Sequence, residues 1–280
     1  MEQPIPWEKI ASSQPYRFSI GPRKRQFTMH SAVVEAQSPV LNTFVNNTKF
    51  KEAGERHAEL HDVDEDTFIT FIQYAYTGAF EVAGTATHQR DRLMDAALKD
   101  CARNDDDDGG WSAGYDARPA RFVSQGPGRR RKPDPWATFR TAVAAARPKG
   151  YRPPSEEVVI EPGDDVADML IRYTRLYLFA DCYGIDRLMG LSLYSLGRTL
   201  IALGLNVKGG NEEMVEDVVA LLQFCYDGSD PAPDPLTSLI LRYVACNAER
   251  LWKNSEFQKL LAAHAELGAS LVGLLVERLD

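Results

Sequence analysis

At 280 residues the chain can hold one large domain or two ordinary ones, so core size is not limiting. Hydrophobic residues make up 44% of it and charged residues 26%, and no run approaches the roughly 18 uninterrupted apolar residues that a membrane-spanning helix needs. A net charge of −8 speaks against broad nucleic-acid binding, which draws most of its affinity from a basic face.

The N-terminal stretch Met1-Glu2-Gln3-Pro4-Ile5-Pro6-Trp7 lacks the basic start and apolar run of a secretory signal, so an intracellular protein is expected, cytoplasmic and/or nuclear. The four cysteines (Cys101, Cys182, Cys225, Cys246) are scattered and form no CxxC element, which suits reduced, mostly buried thiols.

The chain opens with a hairpin pattern between Arg17 and Met29. Phe18 and Ile20 alternate with polar neighbours, Gly21-Pro22 signals a turn, and Phe27 and Met29 alternate again. A short helix is expected from His30, with Ala32, Val33 and Ala36 on one face. Ser38-Pro39 opens another, serine as N-cap and proline at the first helical position, with Val40, Leu41 and Phe44 as its apolar stripe. Ala58-Glu59-Leu60 reads as a brief strand. At Asp64 a strong helix begins, its dipole met by Asp64, Glu65 and Asp66 and its wide apolar face built from Phe68, Ile69, Phe71, Ile72, Ala75 and Tyr76. Thr77-Gly78 ends it, and Phe80 to Val82 is expected to add a strand.

From about Thr85 to Glu161 the composition changes. An amphipathic stretch (Arg92 to Cys101) leads into Asn104-Asp105-Asp106-Asp107-Asp108-Gly109-Gly110, then Gly126-Pro127-Gly128-Arg129-Arg130-Arg131-Lys132-Pro133, then Arg152-Pro153-Pro154. Such blocks cannot bury enough apolar surface to offset the entropy of ordering them, so a largely disordered insert is expected. Helical periodicity then returns. Val166, Met169, Leu170, Tyr173, Leu176, Tyr177 and Ala180 lie on one face, Gly184 marks a stop, and Leu188, Leu191, Leu196 and Leu200 continue. Further periodic runs cover Met214 to Tyr226, Leu236 to Trp252 and Phe257 to Leu279.

Chemistry-bearing motifs are few. His57 and His61 would share a helix face, but on a strand they stand about 13 Å apart, and no third ligand is evident. No GxGxxG, GxxxxGK[ST] or GxSxG pattern occurs, and no set of residues assembles acid, base and stabiliser roles. Neither catalysis, a cofactor, a metal nor a small-molecule substrate is therefore expected. The run Arg129, Arg130, Arg131, Lys132 is a candidate nuclear-import signal on charge patterning.

Five elements in order resemble the BTB/POZ domain, in the form abundant in fungal proteins. They are Phe27-Thr28-Met29-His30, Ser38-Pro39-Val40-Leu41, Phe50-Lys51-Glu52, Ala58-Glu59-Leu60, and the helix from Phe68 that ends Tyr74-Ala75-Tyr76-Thr77-Gly78. Beyond the insert, Leu176 to Leu188 is similar to the family's later helix pair, and Leu241 to Ala248 to helices that often follow the fungal domain. Ser31 stands where the family usually has lysine, and Leu41 where it has phenylalanine. The extension that supports strand-exchanged dimers in some members is short here.

The resemblance implies an α+β fold of the BTB/POZ type, a short β-sheet flanked by a cluster of α-helices, interrupted by the insert and followed by a helical C-terminal extension. The expected division is an N-terminal tail (1–15), the first part of the BTB/POZ core (16–84), the insert (85–162), the later BTB/POZ helices (163–205) and the extension (206–280). It also implies a protein–protein interaction module, acting as scaffold or adaptor. Its partners would be other proteins, a cullin scaffold or a second copy of itself among them, with no direct contact to nucleic acid or membrane. Some members carry substrates to a cullin ubiquitin ligase through an apolar-x-Glu motif, which Phe50, Lys51 and Glu52 match. A nuclear, transcription-associated regulator is the other reading.

Overall fold

The hairpin pattern forms as the alternation dictates. In a computed structural model, which describes residues 5–46, 54–82, 134–153, 158, 160, 164–204, 213–228 and 234–277, helix α1 (Trp7–Ser12) precedes β1 (Pro15–Ile20) and β2 (Arg25–His30). Gly21 takes the left-handed conformation (φ 67°) that the turn requires, and its N–H donates to Leu60 O at 2.9 Å. β1 pairs antiparallel with β2 and parallel with β3 (His57–Leu60), giving a three-stranded sheet of order β2-β1-β3.

One face of this sheet is apolar. Tyr16, Phe18, Ile20, Met29, Ala58 and Leu60 are buried, while Arg17, Gln26, Thr28 and Glu59 on the other face are exposed. Helices α2 (Ser31–Gln37), α3 (Pro39–Asn46) and α4 (Glu65–Thr77) complete the first half. Ser38 caps α3 by accepting from the Leu41 N–H at 2.9 Å, and Asp64 caps α4 by accepting from the Thr67 N–H at 2.9 Å. Gly78, at φ 72°, closes α4.

The C-terminal half is helical: α5 (Pro135–Ala146), α6 (Val166–Cys182), α7 (Asp186–Ala202), α8 (Glu213–Tyr226), α9 (Asp234–Cys246), α10 (Ala248–Leu251), α11 (Ser255–Ala263) and α12 (Ala265–Val276). Two cores result, and α6 belongs to both. Leu176, Phe179 and Ala180 join the sheet and α4, whereas Val166, Met169, Leu170 and Tyr173 join α5 and α7 to α12. A cation–π contact of Arg175 over Phe224 at 5.4 Å ties α6 to α8.

Four expectations need correction. Phe80 to Val82 forms no strand; Phe80 instead packs towards Tyr173 (6.3 Å between ring centres) and Val82 is buried in the C-terminal core. The stretch from 85 to 162, expected as a largely disordered insert, holds a helix towards its end, α5. Asp134 caps α5, Pro135 opens it, and Phe139 and Val143 are buried against α7 and α9, so tertiary burial supplies what local composition hides. The run from Leu236 to Trp252 breaks at Asn247, whose buried amide donates to Tyr243 O at 2.9 Å. The run from Phe257 breaks at His264, where α11 and α12 meet at 108°. No single described helix is long and apolar enough to cross a membrane.

Candidate partner-binding surface

An aromatic chain leads from the sheet to the outer face of the first half. Phe18 meets Phe68 at 5.1 Å, Phe68 meets Phe71 at 5.7 Å, Phe71 meets Phe179 at 5.0 Å, and Phe179 meets Tyr183 at 4.7 Å. Tyr183 in turn stands 6.4 Å from Phe44 of α3. Pairs at such separations gain about 0.5–1.5 kcal/mol each beyond the area they bury. Burial, with the Cys182 thiol and the Asp62 carboxylate nearby, pushes the Tyr183 hydroxyl up to about 12.

This chain fixes α3. Leu41 is fully buried and Tyr16 Oη donates to Phe44 O at 3.1 Å, so one side of the helix is anchored. The other side is not. Val40, expected in the apolar stripe, is 42% exposed; only its first-turn position at the helix rim brings it alongside Gly184. Val40, half-buried Phe44 and exposed Gly184 therefore make an apolar ridge at the surface, with the buried Tyr183 ring packed towards Phe44 from within. Ile69 of α4, also expected in the core, is 41% exposed, because Phe68 and Phe71 already fill the space against the sheet.

Polar cross-links lie around the sheet and α4. His30 donates its backbone N–H to Tyr76 Oη at 3.0 Å, and its ring Nδ1 shares a hydrogen with the same hydroxyl at 2.8 Å. Arg172 joins Asp66 of α4 (3.3 Å) to Asp168 of its own helix. Lys24 holds Glu59 at 2.9 Å and keeps that carboxyl below its ordinary range, and His61 meets Glu59 at 3.0 Å. His57 goes instead to Ser19 Oγ at 2.8 Å, so the two histidines are committed to different partners. Among the described residues no three His, Cys, Asp or Glu side chains converge as a metal needs.

Phe50, Lys51 and Glu52 follow α3 by a few residues, and they lie outside the described residues; so do Arg129, Arg130, Arg131 and Lys132, and the stretch from Arg92 to Cys101. The sheet, its capping helices and α4 are the elements to which the family model for the BTB/POZ domain matches, over residues 18–99. The chain carries a BTB/POZ domain. No curated protein matches it. The BTB/POZ domain is a protein–protein interaction module, and its members also form homodimers. The BTB/POZ match runs past residue 84, into the stretch that composition alone assigns to the insert. Sequence reasoning missed the exposure of Val40 and Ile69, for helical periodicity marks which residues share a face and not how far round the helix the neighbours reach.

Proposed function

We propose that this BTB/POZ protein is a non-catalytic scaffold or adaptor that grips a partner protein through the α3 ridge and the residues that follow it. The observation that carries the reading is the split character of α3: Leu41 is locked into the core while Val40 beside it is open to solvent next to Gly184. A rigid helix with an exposed apolar edge suits a helix-face interface, whose energy concentrates in a few central side chains. An adaptor that docks on a cullin is the finer form of this reading, supported by the position of Phe50, Lys51 and Glu52 shortly after the same helix and by the family resemblance.

One experiment tests both levels. Purified full-length chain is used to retain proteins, including a cullin N-terminal region, in three forms: unaltered, Val40→Asp, and Phe50→Ala with Glu52→Ala. Val40 sits in the first turn of α3, where an added carboxylate favours the helix dipole, so Val40→Asp keeps its melting temperature. Loss of a partner held by the unaltered chain, by about tenfold or more in affinity for Val40→Asp, is the expected result. Cullin retention abolished by the double variant supports the adaptor form. Partners held equally by all three forms would refute the surface, and absence of cullin binding would refute the adaptor form alone.

A further inference from the structure

A second apolar surface lies wholly outside residues 18–99. Where α9 breaks at Asn247 and α11 meets α12 at 108°, the helices leave a groove of about 1040 Å³ beside the start of α5. Trp136, Cys246, Phe257, Leu261, Val272 and Leu275 line it. Trp252 and Val272 on its wall are each 59% exposed, and α12 continues the patch outward with Ala269, Gly273 and Val276. From Leu267 to Val276 this surface helix carries no charged residue at all. An ordinary exposed helix alternates an apolar face with a charged one, so α12 is built to be covered. The volume reaches the upper end of small-molecule sites, about 300–1,000 Å³, and the walls are helices, which is the form of a groove that receives a helix.

Charge selects the occupant. The exposed ionised groups on the groove lining are Asp134 and Glu249, both carboxylates. Arg250 on the same lining is half-buried, so two exposed carboxylates stand against one partly covered cation. A second copy of this chain would bring a net −8 towards that acidic rim, and an anionic lipid surface would bring like charge too. We propose that the groove binds an amphipathic helix of a partner protein, its apolar side chains at i, i+4 and i+7 seated between Trp252 and Val272 and its flanking lysines or arginines facing Asp134 and Glu249. The site is separate from the α3 ridge, so its failure leaves the first reading standing.

The test is selection from a displayed library of helical peptides on immobilised full-length protein, followed by titration of the best peptide in solution. Enriched peptides should share a basic, amphipathic pattern, and Val272→Asp should weaken the titrated peptide by about tenfold or more, with Glu249→Lys weakening it less. Val40→Asp should leave its affinity unchanged. Thermal melts establish that each variant folds. Three results would overturn the proposal: peptides indifferent to Val272→Asp, a dimer that Val272→Asp dissolves, or binding only after deletion of residues 111–132, which would assign the groove to the chain's own basic run.

Discussion

Gly197 sits in the middle of α7, where a glycine weakens a helix by about 1 kcal/mol relative to alanine. The reason it is there is steric. A Cβ at Gly197 would stand 2.6 Å from Val143 Cγ2 of α5, and one at Gly190, two turns earlier, would stand 3.0 Å from Ala146 O. Both glycines thus face α5 and let the two helices approach closely. Val143 is β-branched and held to one rotamer within a helix, so it cannot swing aside. Gly197→Ala is therefore expected to destabilise the protein by about 1–3 kcal/mol despite its better helix propensity, and adding Val143→Ala should recover part of that loss. Denaturant unfolding of the two singles and the double gives the coupling; additive losses would show that the contact is not the cause.

At the scale of elements, α5 shows where sequence reading succeeds and where it stops. Its own signals are present: Asp134-Pro135 is a cap followed by proline, and Trp136, Phe139 and Val143 recur at helical spacing. They are swamped by flanking Asp, Gly, Arg and Pro blocks, whose composition dominates any window long enough to judge disorder. The hairpin, the Ser38 and Asp64 caps and the α4 stop at Gly78 were legible because each rests on adjacent residues. The breaks at Asn247 and His264 were not, since nothing in the local pattern interrupts the apolar period there. The α3 ridge was only half legible, as its exposure depends on Tyr183 and Gly184, far along the chain. If α5 is structural, Phe139→Ala should cost about 3–5 kcal/mol, as a fully buried phenylalanine does. A cost under about 1 kcal/mol in denaturant melts would mean that α5 is only loosely docked.

For the whole molecule, α6 is the joint. One helix supplies Leu176 and Phe179 to the BTB/POZ core and Met169 and Tyr173 to the C-terminal one, and the hydroxyl of Tyr173 is raised by burial to about 12. On the proposed reading, a partner gripping the α3 ridge would press on Gly184, just past the end of that same helix. Because α6 contributes to both cores, the C-terminal helices pack on the same element as the first surface, an arrangement that would suit the proposed scaffold. Where the first partner sits is the central claim, and hydrogen exchange of the full-length protein with and without a captured partner tests it most directly. The account predicts added protection of backbone amides in α3 and at Tyr183 to Ile185. Protection confined to the polar face of the sheet, with α3 unchanged, would contradict it.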